Sequence, residues 1–304
     1  MLYKEWLAQW LEDYVRPSVK AKTYFNYADI VHMRLIPELG DLEIDRITPM
    51  IIQPYITKLL QQGNLKTGAG LSSNSVNLII AVIQNSLRVA HSLGILERYE
   101  LDKLRRPKVQ EKQVCCFSSK EQKQIEKAVL SDRRTKMLGI LLCLYTGLRI
   151  GELLALEWSD VDFDKRELRV SKTCYDKDGV RMVGTPKTWS SARVIPIPAK
   201  ILPVLEALQA KGNSRYVVSD HGQYIPVRSY QRSFALLLKK LHIPHQGFHA
   251  LRHTFATRAL ECGMDVRTLA EILGHKNPTV TLNRYAHSLM EHKREMMNRL
   301  GGNL

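Results

Sequence analysis

The chain has 304 residues, 44% of them hydrophobic, which suffices for a substantial core and suits two domains better than one. Its 45 lysines and arginines outnumber its 30 aspartates and glutamates, and the net charge of +15 favours a polyanionic partner, nucleic acid ahead of acidic membranes. The longest apolar run, Met137 to Leu148, is too short to cross a bilayer, and the start of the chain shows no secretory signal, so we expect a cytoplasmic protein. The five cysteines show no Cys-x-x-Cys spacing, which predicts neither a disulfide framework nor a thiolate zinc site.

The first part of the chain predicts a bundle of four helices. The first helix carries Trp6, Trp10 and Tyr14 at i, i+4 and i+8, and we expect this aromatic stripe to be buried. Caps, prolines and apolar periodicity predict three more helices: one from Thr23 towards Pro37, one from Thr48 with Pro49 in its first turn, and one after Asn74 that stops at Gly94.

A basic segment, Leu101 to Gln113, is poor in periodic apolar residues and predicts the connection between two domains. Its lysines and arginines either contact phosphates or are simply exposed to solvent in a connection between domains. We place a helical domain at 1–108, a basic linker at 109–113 and a second domain with a C-terminal tail at 114–304. Most of the excess positive charge falls in this second domain.

The second domain has a mixed pattern, which predicts an α+β fold that is mostly α with a small antiparallel β-sheet. A strand region from Glu167 to Ile197 contains turns at Asp178-Gly179 and Ser190-Ser191. Helices are expected on both sides of it: Asp132 to Thr146, Arg149 to Trp158, one from Ile201, one near Tyr230, and then His249 to Glu261, Asp265 to Leu273 and Thr279 to His287.

Several residues of this domain suit phosphodiester cleavage, which requires cations around the phosphate, a nucleophile and an acid for the departing oxygen. Arg149 starts a helix just after Gly147, and Glu152 shares its helical face. On spacing alone these two residues would be a surface ion pair.

A second group follows on the next predicted helices. His249, Arg252 and His253 stand at i, i+3 and i+4 and can project into one cleft. The HxxxH spacing is also found in zinc sites, but Ala250 replaces the glutamate that metalloprotease helices carry after the first histidine. His275 follows the helix-ending Gly274, where it either donates to a phosphate or serves as a cap.

Four motifs in this order resemble the tyrosine recombinase (phage integrase) family: TGLRIGELLAL, PKTWSSARVIPI, HALRHTFATRAL and LGHKNPTVTLNRY. The resemblance covers about Val114 to His287. More loosely, TYFNYADIVHMRLIPELGDLEIDRIT is similar to the core-DNA-binding domain of that family. Composition and spacing do not distinguish Tyr285 from the other tyrosines, and its selection depends on this resemblance.

The resemblance implies a role for each site residue. Arg149 and Arg252 hold the scissile phosphate, His249 acts as base or hydrogen-bond partner, His275 donates a further bond, and Tyr285 is the nucleophile. Lys187, otherwise a solvated hairpin charge, is expected to protonate the leaving 5' oxygen. Glu152 supports the active-site arginine and histidine. No metal, ATP or other cofactor is implied.

The family also implies an assembly. The expected partners are double-stranded DNA recombination sites and three further copies of this chain, a homo-tetramer that exchanges strands through a four-way junction in the nucleoid. Accessory DNA-bending or directionality proteins are left open, and no membrane is involved. Apolar residues of the tail are expected to dock on a neighbouring protomer: Leu289, Met290, Met296, Met297 and Leu300.

Three alternatives have distinct signatures. A type IB topoisomerase would relax supercoils without a specific site. A non-cleaving DNA-binding regulator would lack one of the six expected catalytic residues, yet all six are present: Arg149, Lys187, His249, Arg252, His275 and Tyr285. A hydrolase with a histidine metal site would lose activity in EDTA.

Overall fold

The computed structural model describes residues 1–110, 115–132, 134–184, 192–211 and 214–275, with Asn277, Thr279, Met297 and Asn298. The chain divides into two compact units, Met1–Lys112 and Gln113–Leu304. Within the described ranges, no helix has both the length and the apolar character needed to cross a bilayer.

The first unit is a helical bundle that contains the four predicted helices. Its α-helices are α1 (Tyr3–Gln9), α2 (Ala21–Ile30), α3 (Ile36–Leu39), α4 (Pro49–Gln62) and α5 (Ser73–Ser92). A π-helical segment, Val31–Leu35, joins α2 to α3, so the second predicted helix begins before Thr23 and runs past Pro37. Pro37 is tolerated there because it lies in the first turn of α3.

The aromatic stripe of the first helix is buried at two of its three positions. Trp6 and Trp10 are 0% and 1% exposed, whereas Tyr14 is 36% exposed. From Trp10 to Val15 the helix is π-helical, with hydrogen bonds spanning five residues instead of four. The buried face therefore advances to Val15, and the prediction was wrong for Tyr14.

The start of the basic connecting segment is packed on the first unit. Leu101 and Leu104 are buried. The side-chain amide of Gln84 donates to the carbonyl of Leu101 at 2.8 Å, and that of Asn77 donates to the carbonyl of Pro107 at 3.1 Å. The segment up to Pro107 is therefore held by α5, and of the two alternatives for the basic segment, a merely solvated connection does not apply to this part of it.

The second unit surrounds its strands with helices. They are α6 (Ser119–Leu130), α7 (Gly139–Thr146), α8 (Ile150–Ala155), α9 (Leu202–Lys211), α10 (Val227–Lys240), α11 (His249–Glu261) and α12 (Val266–Leu273). The sequence prediction missed α6, which buries little more than Ile125 and Val129 and so has a sparse apolar pattern. A capping box between Ser118 and Glu121 starts this helix.

Two other helices differ from the prediction at their ends. The segment predicted from Asp132 to Thr146 contains a 3-10 turn, Thr135–Leu138, before α7 begins. The helix predicted to reach Trp158 ends at Ala155, where α8 closes. The predicted bounds of α11 are confirmed, and the helix predicted from Thr279 to His287 lies outside the described residues apart from Thr279.

The strands form a small antiparallel sheet and a hairpin. They are β1 (Val161–Asp162), β2 (Glu167–Val170), β3 (Thr173–Lys177), β4 (Val180–Gly184) and β5 (Arg193–Pro196). The sheet has the order β1-β2-β5, with Leu168 opposite Ile195, and β3 pairs with β4. Asp178 and Gly179 both have positive φ, as a two-residue hairpin turn of type I′ requires. The predicted fold class, mostly α with a small antiparallel sheet, is confirmed.

Candidate active site

Arg252 lies on the buried face of α11, with 2% of the residue exposed. Its Nη1 donates to the carbonyl of Gly147 at 2.8 Å, and its Nη2 donates to the carbonyl of Leu273 at 2.7 Å. These carbonyls stand at the C-terminal ends of α7 and α12, which carry partial negative charge. Two helix ends therefore hold one buried guanidinium in place.

Gly147 closes α7 in the left-handed conformation, with φ of 66°. A Cβ at this position would lie 2.6 Å from Cδ1 of Phe255 and 2.8 Å from Cδ2 of Leu273. The glycine therefore permits both the turn and the close packing that brings its carbonyl to Arg252.

We expect Gly147→Ala to destabilise the second unit by roughly 2–5 kcal/mol, because left-handed strain costs about 1–2 kcal/mol and overpacking about 1–3 kcal/mol. The matched control is Gly263→Ala, which has a positive φ of 87° but open space around the added methyl group. Urea unfolding of both variants measures the difference. Equal losses of stability would show that the contacts with Phe255 and Leu273 are not tight.

His275 lies beside Arg252 at the end of α12. Its Nε2 is 2.9 Å from Nη2 of Arg252. A guanidinium can only donate, so Nε2 of His275 is the acceptor in this contact. The backbone N–H of His275 donates to the carbonyl of Ala270, which closes the helix end after Gly274. The structure thus brings together two residues that are far apart in the sequence.

Glu152 caps the start of α8 by accepting from the backbone N–H of Arg149. Arg149 is the N-cap residue, with extended backbone, rather than the first residue of the helix. Its backbone N–H donates to Oε2 of Glu152 at 3.0 Å and its Nη1 donates to Oε1 at 2.8 Å. Glu152 is 2% exposed but the side chain of Arg149 is 36% exposed. The pair is therefore not a surface ion pair, and Arg149 reaches the solvent.

Arg193 on β5 is a member of this cluster that the sequence analysis missed. Its Nη2 and Nη1 donate to the two carboxylate oxygens of Glu152, at 2.9 Å and 3.2 Å, and its side chain is 6% exposed. The available signal was the alternation of the strand, because Arg193 shares a face with the buried Ile195. A charged residue on a buried strand face requires a partner.

Burial pushes the pKa of Glu152 up, but the hydrogen bonds and charge of Arg193, together with Arg149, outweigh burial and bring the pKa below its ordinary value of 4.5. The carboxylate is therefore ionised at neutral pH and accepts bonds from both arginines. Cys143 lies in the electrostatic environment of Glu152 and Arg252, and burial raises the pKa of its thiol strongly. This cysteine is a neutral packing residue.

His249 begins α11 and is exposed. Its ring centroid is 4.5 Å from that of His253, with the rings edge to face, as the predicted i, i+4 spacing requires. Among the residues that the structure describes, no group of three or more potential ligands is arranged to hold a metal ion. Lys187 and Tyr285, the predicted acid and nucleophile, lie outside the described residues.

Comparison with known proteins identifies relatives for both units. The family model described as "Phage integrase family" matches residues 109–292, and "Phage integrase, N-terminal SAM-like domain" matches residues 2–60. The "Tyrosine recombinase XerC-like" protein of Caldanaerobacter subterraneus subsp. tengcongensis is 32% identical over 93% of this chain and 78% of its own. The ICEBs1 integrase of Bacillus subtilis is 28% identical over 92% of this chain and 78% of its own.

A solved structure of the Tn1549 transposon integrase, in complex with transposon right end DNA, has a TM-score of 0.82. It is 23% identical, covering 99% of this chain and 100% of that chain, and shows the shared fold. The family match over most of the second unit, with the XerC-like relative, shows that this chain belongs to the phage integrase family of tyrosine recombinases, enzymes of site-specific DNA recombination.

Proposed function

We propose that this protein cuts double-stranded DNA at specific sites through a 3'-phosphotyrosine at Tyr285 and rejoins it through a four-way junction, without metal or ATP. The observation that carries the proposal is that Arg252 contacts both His275 and the carbonyl of Gly147. Gly147 forms the turn that lies two residues before Arg149 in the chain. A phosphodiester gains charge on its oxygens in the transition state, and fixed cations stabilise that charge.

The two arginines differ in how they meet the phosphate. Arg252 is held by backbone carbonyls, so its position is set before DNA binds. Arg149 is partly exposed and its charge extends to the solvent. The fixed guanidinium of Arg252 and the accessible guanidinium of Arg149 would together hold the phosphate in one orientation. Such positioning lowers the entropy cost of nucleophilic attack.

The reaction balances without an external energy source. The phenolic oxygen of Tyr285 attacks phosphorus, and His249 acts as the base that accepts the phenolic proton. The bond from phosphorus to the 5' oxygen breaks, and Lys187 protonates that oxygen. In rejoining, the 5' hydroxyl of a partner strand gives its proton to Lys187 and attacks phosphorus, the bond from phosphorus to Tyr285 breaks, and His249 returns the proton to the tyrosine.

The proposed partners are two DNA duplexes and three further copies of the chain. Residues 1–108 form the core-DNA-binding domain, residues 109–113 are a basic linker, and residues 114–304 are the catalytic domain with its tail. The excess positive charge of the second part supports DNA binding. In the tail, the apolar residues Leu289, Met290, Met296, Met297 and Leu300 are proposed to dock on a neighbouring copy; Met297 is 66% exposed.

The test is a nicked suicide substrate made from the flanks of the encoding locus, followed by denaturing electrophoresis and peptide mapping by mass spectrometry. We expect a protein–DNA adduct to form in the presence of EDTA as well as in its absence. The nucleotide should lie on the peptide that contains Tyr285, and Tyr285→Phe should form no adduct. A nucleotide on another residue would refute the proposal. Relaxation of supercoiled DNA that lacks the site would favour a topoisomerase.

A further inference from the structure

The carboxylate of Glu152 is shared between two arginines that differ in exposure. Arg193 binds both oxygens, at 2.9 Å and 3.2 Å, and Arg149 binds Oε1 at 2.8 Å through Nη1. The side chain of Arg193 is 6% exposed and that of Arg149 is 36% exposed. Glu152 thus has one buried partner and one partner that reaches the solvent.

The difference in exposure between Arg193 and Arg149 determines how much positive charge Arg149 can offer to a ligand. Glu152 and Arg149 alone would be a neutral pair, with the cation of Arg149 largely offset by the carboxylate. Arg193 neutralises Glu152 from the buried side, so the three residues together carry one net positive charge. Because Arg193 and Glu152 are buried, this net charge is presented to the solvent by Arg149.

Arg193 also holds the other side of the site. Its Nε donates to the carbonyl of Ile272 at 2.5 Å, and the next carbonyl, that of Leu273, accepts from Arg252 at 2.7 Å. His275 follows two residues later. One buried side chain on β5 therefore connects the turn that carries Arg149 with the helix end that carries His275.

We propose that Arg193 is a positioning residue for DNA cleavage, which orients Glu152 and Arg149 and fixes the end of α12 beside Arg252. This inference rests on the proposed function. Arg193 acts through its neighbours: its Nη1 and Nη2 bond to Glu152, and its Nε bonds to the carbonyl of Ile272. Its planar guanidinium fits this task because it spans two carboxylate oxygens and a third acceptor at once.

The ionisation of Glu152 supplies a specific signature of this role. Burial raises the pKa of the carboxyl, and the bonds and charge of Arg193 are the largest influences that lower it. Without Arg193, burial would dominate and Glu152 would take up a proton at a higher pH. The carboxyl would then lose acceptor capacity for Arg149, and cleavage would decline from a higher pH as the solution is acidified.

The experiment measures single-turnover adduct formation on the suicide substrate across pH, for wild type, Arg193→Met and Arg193→Lys. DNA affinity comes from mobility shift, and folding from urea unfolding. The control, Arg169→Met, removes an exposed arginine from the adjacent strand β2. We expect Arg193→Met to cleave about 10²-fold more slowly, as a misplaced catalytic group does, with DNA affinity lowered far less than the rate and the acid side of the pH–rate profile shifted to higher pH.

Arg193→Lys is the conservative variant and decides the matter if Arg193→Met does not fold. The ammonium of the lysine keeps a positive charge beside Glu152, so the acid side of the pH–rate profile should stay near that of wild type. The cleavage rate should remain below that of wild type, because one ammonium cannot bind both carboxylate oxygens and the carbonyl of Ile272 as the planar guanidinium does. A wild-type rate in either variant, or a slower rate in Arg193→Met without a shift of the acid side of its pH–rate profile, would overturn the positioning role alone. Wild-type protein that forms no adduct would instead overturn the proposed function, and this inference with it.

Discussion

Arg252→Lys is expected to slow adduct formation on the suicide substrate about 10²–10³-fold, the loss typical of removing one fixed donor to a developing negative charge. Lysine keeps the positive charge but offers a single ammonium in place of a planar fork. It cannot hold the carbonyls of Gly147 and Leu273 and the Nε2 of His275 in the same geometry. The measurement is the single-turnover rate at saturating protein.

The matched control is Arg258→Lys on the same helix. Arg258 is partly buried and also donates to a backbone carbonyl, that of Phe117 at 3.1 Å, and it pairs with Glu261. We expect it to cleave at nearly the wild-type rate, because its contacts lie outside the cluster around Arg252. Equal rates for the two variants would show that the guanidinium of Arg252 has no special part in the chemistry.

Glu152→Ala is expected to destabilise the protein by about 3–5 kcal/mol, because it leaves the buried guanidinium of Arg193 without its carboxylate. Glu152→Gln should lose less, since its amide oxygen still accepts one of the hydrogen bonds. Urea unfolding at pH 7 measures the free energy of unfolding. In the control, Glu261→Ala, the side chain is 40% exposed, and a loss of at most about 1 kcal/mol is expected. A loss as small for Glu152→Ala would contradict the buried ion network.

The advantage of wild type over Glu152→Ala should depend on pH. The folded-state pKa of Glu152 lies below its ordinary value of 4.5, so the unfolded chain binds the proton more readily. The stabilisation from this carboxylate is therefore fully present above that ordinary value and is lost as the pH falls through the lower, folded-state pKa. Unfolding curves that differ equally at neutral and at strongly acidic pH would contradict this assignment.

Local spacing predicted the parts of the site that lie within one helix. Arg149 and Glu152 are three residues apart, and Glu152 accepts from the backbone N–H and from Nη1 of Arg149 at the start of α8. His249 and His253 are four residues apart, and their rings are in contact. The histidine pair follows from the α-helical repeat, and the Arg149–Glu152 pair follows from the geometry of a helix start, where the third residue of the helix reaches back to the N-cap.

The same local rules failed where the backbone or the partner changed. Tyr14 left the buried stripe because a π-helical segment altered the repeat. Helix α6 escaped notice because few of its residues face the core. Arg193 had a signal in the alternation of β5, but its carboxylate partner lies 41 residues away, and no repeat connects the two.

The sequence by itself determined the helical first unit, the mixed second unit and, through its motifs, the membership in a family of recombinases. The tertiary structure alone decided which carbonyls and carboxylates each arginine binds: Arg252 reaches Gly147 across 105 residues, and Arg193 joins Glu152 to the end of α12. The physical reason is that helical and strand periods act over a few residues. A buried cation instead takes the acceptors that the packing of distant helix ends and strands brings within hydrogen-bond reach.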